Sequence, residues 1–392
     1  MKRIILWGAW YGSENIGDQA LLLSITDLLG GEIEKVEFIV ITDNPSNLLA
    51  YTARASAHTF LPLYTRKQFF EIIKVFIKAD MFIFGGGVPF YDDTFHSIVI
   101  VVFVTLSMIF SVPCVLWSVS SQRIKSTFTR LVLRYLMSYA SVVTYRDGHT
   151  RQLLRECGWD DASQQMAADS AFTLRSNDGQ HARELLQRAG WNSGISRPLV
   201  ALTPRTLRGS DGEAHTHYSP KSSSDSHKEV DVFAAVLDWL WENGCQPIFV
   251  PMNTVAPDDD RLAFHEIIGK AKFGSFALLV DEQIYPRDAA NVYSYCEAAF
   301  VARVHGAVMA FLGRCPVLMY AFDLKHGGIM EQMGFARHIF DPAMDAPEVA
   351  IEMMENMLRS RVELIAQIEK KAGELQKQAK VPLEAVLRLL HR

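Results

Sequence analysis

Arg303-Val304-His305-Gly306 combines the residue types best able to do chemistry in this sequence. It follows the apolar run Ala298–Ala302 and precedes another, Ala307–Leu312. A guanidinium and an imidazole thus stand where a buried strand ends and a helix begins. Backbone N–H groups and the positive end of a helix dipole gather at such a junction and favour an anion. Arg adds a planar two-point grip on a carboxylate or phosphate. His adds a proton carrier near neutral pH. The stretch reads as a place where an anionic substrate is held and protonated. Taken alone, Arg-x-His could equally cap a helix or pair with a neighbouring carboxylate, so the rest of the chain decides.

The elements that must position this stretch alternate along the chain. Strands are predicted at Arg3–Ala9, Val36–Thr42, Met81–Phe84, Val115–Val119 and Ser141–Tyr145. Helices separate them over Asp18–Leu29, Lys67–Ala79, the apolar Ile98–Phe110, Thr127–Ser138 and Arg146–Cys157. The rhythm breaks between Asp169 and Pro198, apart from a polar helix at His181–Ala189. It restarts with strands at Leu199–Thr203, Pro247–Pro251, Ala277–Val280, Ala298–Ala302 and Pro316–Tyr320. Helices over Glu229–Asn243, Arg261–Lys270 and Asp288–Cys296 lie between them, and one long helix is predicted from Glu348 to Lys380. This pattern predicts two doubly wound, Rossmann-like α/β domains facing a cleft, an N-terminal one over 1–180 and a C-terminal one over 195–345, followed by C-terminal helices over 346–392. In such sheets ligands lie beyond the carboxyl ends of the strands.

Composition narrows the classes. The chain has 392 residues, 49% apolar and 21% charged, which suits sizeable cores and excludes a disordered protein. A net charge of −5 argues against nonspecific nucleic-acid binding, which needs a basic face. The five cysteines are scattered, with neither a disulfide framework nor a zinc spacing, so a reducing, cytoplasmic setting is expected. The apolar opening Ile4–Trp7 is too short for a signal peptide. No Lys, Arg, Asp or Glu occurs between Asp93 and Arg123, but Pro113 cuts the apolar run short of the ~20 residues a membrane span requires. Arg123, Lys125, Arg130 and Arg134 follow closely, which leaves room for a peripheral contact at the inner face of a membrane. The polar segment Leu207–Lys228 reads as a mobile loop placed to act as a lid. Its His215, His217 and His227 lack partners at metal-ligand spacing.

Further motifs fall at predicted strand ends. Gly12-Ser13-Glu14-Asn15-Ile16-Gly17-Asp18 follows the first strand, where Asn15 and Asp18 can hydrogen-bond a polyol or phosphate and Gly17 permits a close backbone approach. Gly85-Gly86-Gly87 follows Phe82-Ile83-Phe84 and gives a floor without side chains. Thr144-Tyr145-Arg146-Asp147 and Thr203-Pro204-Arg205 close two more strands. Together with Asp169-Ser170-Ala171-Phe172, Arg303-Val304-His305 and Tyr320–Lys325, their order and spacing resemble the polysaccharide pyruvyl transferase family.

The resemblance implies a fold similar to the GT-B glycosyltransferases. It also implies transfer of the carboxyvinyl unit of phosphoenolpyruvate onto two hydroxyls of a sugar, giving a ketal, with a free or lipid-linked saccharide as acceptor. Arg205 and Arg303 match the family's donor-binding positions, and Lys325 supplies a third cation for a substrate carrying both a carboxylate and a phosphate. His305 is the expected general acid/base. Asp18 and Asp92 are expected to orient or deprotonate the acceptor, with Asn15, Gly17, Gly85 and Gly86 also on its side. Neither step requires a metal or an organic cofactor. The sequence departs from the family in the Leu207–Lys228 loop and at Ser118–Gln122, where many members carry a Gly-Pro turn. A GT-B glycosyltransferase using a nucleotide sugar, with Glu331 holding a ribose, is the main rival, and a non-catalytic sugar-binding protein is a third reading.

Overall fold

Continuous apolar runs, unlike alternating ones, make strands that are buried on both faces. This chain uses them for two all-parallel sheets. The computed structural model describes residues 1–42, 44–52, 55–59, 66–159, 164–175, 177–192, 194, 197–205, 223–256 and 258–390. They form two compact units: residues 1–13, 18–174 and 375–392, and residues 14–17 and 175–374.

The first unit runs β1 (Lys2–Trp7), α1 (Ile16–Glu32), β2 (Val36–Thr42), α2 (Pro45–Tyr51), β3 (Ala55–Thr59), α3 (Arg66–Ile77), β4 (Met81–Gly85), α4 (Thr94–Ile109), β5 (Cys114–Val119), α5 (Thr127–Tyr139), β6 (Ala140–Tyr145), α6 (Gly148–Glu156) and β7 (Gln164–Met166). Its seven strands are ordered β3-β2-β1-β4-β5-β6-β7. Helices α3 to α6 share one apolar core against the sheet, while α1 and α2 belong to the other. Phe103 of α4 meets the rings of Trp7, Phe76 and Phe82, and such a buried ring costs about 3–5 kcal/mol to truncate to Ala. Helices start where short polar side chains cap them: Asp93 accepts from His96 N–H before α4, Ser126 from Thr129 before α5, and Asp147 from Thr150 before α6.

The second unit runs α7 (Gln180–Arg188), β8 (Leu199–Thr203), α8 (Ser223–Glu242), β9 (Gln246–Phe249), α9 (Asp260–Lys270), β10 (Leu278–Leu279), α10 (Pro286–Tyr293), β11 (Cys296–Val301), α11 (Val304–Leu312), β12 (Val317–Tyr320), α12 (Leu324–Met333), β13 (Ile339–Phe340), α13 (Pro347–Arg359) and α14 (Arg361–Ala379), whose end, with α15 (Val381–Leu390), groups with the first unit. The sheet order is β10-β9-β8-β11-β12-β13. The predicted doubly wound architecture is therefore present twice.

The differences lie in short or polar elements. The edge strand β3 (Ala-Ser-Ala-His-Thr) and the small α2, β13 and α12 were not anticipated. The helix expected from Glu348 to Lys380 is broken at Ser360, whose hydroxyl donates back to the Asn356 carbonyl at 2.8 Å and competes with the helical ladder. The C-terminal residues 346–392 do not stand apart, because Leu383 and Val386 of α15 enter the core of the first unit. All five cysteines are free thiols, and Cys114, Cys157, Cys296 and Cys315 are buried. No described helix is long and apolar enough to cross a membrane.

Candidate active site

In each sheet the strand order reverses beside the first strand, between β1 and β4 in the first unit and between β8 and β11 in the second. The crevice beyond that switch point is where doubly wound sheets bind ligands. In the second unit Thr203 is paired with Val301, and Ala302 N–H donates to the Thr203 carbonyl at 2.8 Å. Arg205 and Arg303 thus leave adjacent strands two residues beyond one paired position.

Both arginines are buried, with 5% and 8% exposure. Arg303 is the cap residue of α11, yet its side chain turns instead to the start of α9. Its Nε and Nη2 donate to Asp260 Oδ1 at 3.1 and 2.5 Å, its Nη1 to Asp258 Oδ2 at 2.8 Å, and Nη2 also to the Asp258 carbonyl at 3.0 Å. Asp260 is held in turn by the N–H groups of Met252 and Asn253 at 2.9 and 3.0 Å. Arg205 reaches Asp258 over longer contacts, 3.3 and 3.4 Å, and its backbone N–H donates to Glu229 Oε1 at 2.7 Å. The expected two-point grip of Arg303 is therefore made on this chain's own carboxylates, and at most one of its five N–H groups remains for a ligand.

Burial and charge pull these groups in opposite directions. Burial raises Asp258, but the attraction of Arg303 and Arg205 outweighs it and leaves the carboxyl below its ordinary value. In Asp260, which is wholly buried, desolvation prevails over Arg303 and the pKa rises. Desolvation pushes Glu229 up to about 8, so this carboxyl holds its proton at neutral pH. Burial lowers Arg303, yet Asp258 and Asp260 more than compensate and keep it charged.

His305 sits in the first turn of α11, half-buried. Its ring packs directly on Gly17, occupying the space a side chain there would need. Segment 14–17 is held in the second unit: Ile16 N–H donates to the Met252 carbonyl at 2.9 Å, and Thr254 Oγ1 to Glu14 Oε2 at 3.0 Å. Asn15 Oδ1 accepts the Gly17 N–H at 2.8 Å. Gly17, expected on the acceptor side, thus seats the imidazole, and Asn15, expected there too, holds the Gly17 backbone.

Lys325 lies half-buried in the first turn of α12, at the end of the strand next to β11. His326 beside it is fully buried, and burial, reinforced by Lys325, lowers its pKa to about 3. As a neutral ring it donates from Nε2 to the Ala302 carbonyl at 3.3 Å and accepts the Asp323 N–H at Nδ1, 3.2 Å away. It ties the residue before Arg303 to the cap of the Lys325 helix. The Phe322 ring lies 5.8 Å from the Arg205 guanidinium.

The switch point of the first unit has a different make-up. Gly85, Gly86 and Gly87 all have positive φ (133°, 76° and 84°), which explains the triple glycine. The Gly85 carbonyl accepts the Tyr11 hydroxyl at 2.5 Å. Asp18 Oδ1 lies 3.8 Å from where a side chain on Gly87 would begin. Asp92 is exposed and accepts the N–H groups of Lys125 and Ser126 at 2.7 and 3.2 Å, so it anchors the loop before α5. Two other motifs act as a clasp: Arg146 and Asp169 form a buried ion pair, while Asp147 caps α6 and accepts the Ser120 hydroxyl. Ser118, in the segment that departs from the resembled family, adopts a left-handed φ of 46°.

Sequence reasoning missed Asp258, Asp260, Glu229 and His326. The run Asp258-Asp259-Asp260 signals a helix start, which it is, since Asp259 caps α9; nothing in it announces the partner more than forty residues away. The expected lid, Leu207–Lys228, lies largely outside the described residues, as do His215 and His217.

Two doubly wound parallel domains define a GT-B-like protein, and solved structures agree. Anabaena HepE in complex with UDP-glucose matches with a TM-score of 0.60 at 15% identity, covering 100% of this chain and 98% of that one. A UDP-GlcNAc 2-epimerase from Neisseria meningitidis matches at 0.62 and 10% identity over 99% and 100%. The E. coli ADP-heptose LPS heptosyltransferase II matches at 0.50 and 12% over 92% and 100%. No curated protein matches the sequence significantly. The sequence model of the polysaccharide pyruvyl transferases matches residues 15–323, most of the chain, and the protein belongs to that family.

Proposed function

We propose that the protein transfers pyruvate from phosphoenolpyruvate to a sugar of a surface polysaccharide or its lipid-linked precursor. The observation that carries this reading is the convergence of Arg205 and Arg303 at the switch point of the second sheet, with His305 on the first turn of the helix that follows. Arg205, whose contacts to Asp258 are the longer ones, turns to the donor's anionic groups, joined by Lys325. His305 gives a proton to the methylene carbon, and the adjacent carbon becomes oxocarbenium-like. A sugar hydroxyl attacks that carbon, its proton departing with the phosphate by way of a carboxylate, and a second hydroxyl closes the ketal while its proton restores the His305 imidazolium. Asp18 takes up a hydroxyl proton, with Gly85, Gly86 and Asp92 on the acceptor side. The products are one ketal and one inorganic phosphate.

The test pairs two measurements. Phosphoenolpyruvate should raise the melting temperature more than UDP-glucose does. With an acceptor saccharide, phosphate release should match the gain of ketal by mass spectrometry. Stabilisation by UDP-glucose alone would favour the nucleotide-sugar reading, in which Glu331, exposed in the last part of α12, holds the ribose.

A further inference from the structure

We propose that the outer face of the α3–α5 layer docks in the plane of an anionic phospholipid bilayer. The three helices lie side by side over one core. Each turns two large apolar side chains outward: Phe70 and Ile77, Ile98 and Ile109, Phe128 and Leu131, all between 38 and 65% exposed. Their spacings of seven, eleven and three residues keep each pair on one helical face. Helices α4 and α5 are joined by the Tyr135 hydroxyl, 3.0 Å from Thr105 Oγ1 and 3.3 Å from the exposed Met108 Sδ. In the second unit exposed apolar residues such as Leu262, Phe276 and Val362 sit singly on separate elements. Exposed apolar side chains gathered on one helical layer, broken on α3 by the exposed Lys74–Glu71 ion pair, mark a docking surface.

Charge selects the occupant. Helix α4 carries no Lys, Arg, Asp or Glu over its sixteen residues. Around the apolar face stand exposed Lys67, Lys78, Arg123, Lys125 and Arg134. From α3 to α5, residues 66–139 hold eight Lys and Arg against four Asp and Glu, in a chain of net charge −5. A basic rim around apolar side chains fits lipid phosphates above and acyl chains below. At 16 residues, roughly 24 Å, α4 is too short to span and lies flat. Helix α4 of this face follows the Gly85–Gly87 floor in the chain, so a lipid-linked acceptor would meet the floor from the bilayer surface. That last link rests on the proposed function, whereas docking itself needs neither donor nor acceptor.

Flotation of the full chain with phosphatidylcholine vesicles, with and without phosphatidylglycerol, tests the proposal apart from catalysis. The protein should float with the anionic vesicles, and less so as salt rises. Phe128→Glu/Leu131→Glu should lower partitioning about tenfold or more without shifting the melting temperature in lipid-free buffer. Ile109→Glu, at the far end of the face, provides an independent variant should the pair fail to fold. Absence of flotation, or flotation unchanged in these variants, overturns the proposal. So does a concentration-dependent dimer that Leu131→Glu dissolves, since a second copy would then cover the face.

Discussion

At the ends of β1 and β4 the first unit offers backbone: three successive glycines, a tyrosine hydroxyl fixing one of their carbonyls, and one carboxylate nearby. At the ends of β8 and β11 the second unit assembles buried charge: two guanidiniums bridged by Asp258, with Asp260 behind them and a protonated Glu229 beside them. The strand order around the two places is the same. Topology therefore supplies an address, and the residues that end the strands decide what is received there. An uncharged floor suits a polyol, which is recognised by shape and hydroxyl contacts. In the proposed reading, Arg205, loosely held by Asp258, together with Lys325 would receive a small dianion.

The comparison can be broken from either side. The largest effect is expected from Asp260→Ala, which strands a buried guanidinium and two backbone N–H groups. Urea unfolding should show a loss of about 3–5 kcal/mol, and an unchanged midpoint would show that the cluster is open to water. His305→Ala should cut phosphate release roughly 10²–10⁴-fold while calorimetry finds phosphoenolpyruvate still bound; wild-type turnover would remove the imidazole from the chemistry. Gly17→Ala puts a methyl group where the His305 ring lies. Turnover should fall about 10²-fold through misplacement with donor affinity kept, and equal turnover would mean that the ring's position is not critical.

In the first unit Gly86→Ala forces an alanine to φ 76°. It should cost about 1–2 kcal/mol and reduce acceptor use while leaving phosphoenolpyruvate affinity alone. Loss of donor affinity would dissolve the division between floor and cluster. The smallest effect concerns Glu229. Its folded pKa, about 8, lies above the ordinary 4.5, so its stabilising contribution is complete below 4.5 and is lost as the pH rises through 8. Glu229→Gln should flatten the melting temperature across that window. An identical pH slope in the variant would assign the dependence to other groups.

Much of the fold could be read because parallel strands need unbroken apolar runs: Val36–Thr42 and Leu199–Thr203 appear at their predicted bounds. Edge elements escape this logic. Ala55–Thr59 sits at the sheet margin, where nothing demands a continuous apolar run, and β13 has only two residues. At the site, residues adjacent to strands were legible because a strand end is visible in sequence. Arg205, Arg303 and His305 are of that kind. The counter-charges of the two arginines come from a helix start over forty residues away, and only the folded chain juxtaposes them. At Gly17 the need for a small residue was visible in the sequence, but the His305 ring that packs on it was not.

The buried thiols have a practical consequence. Burial raises Cys114 and Cys296 to about 12, and raises Cys157 and Cys315 as well, so each stays protonated and shielded while its surroundings are closed. A protonated, inaccessible sulfur does not alkylate. Cys114 and Cys157 belong to the first unit, Cys296 and Cys315 to the second. A short pulse of iodoacetamide along a denaturant series, read peptide by peptide, would therefore date the opening of each half separately. The chain carries two built-in clocks for its own unfolding.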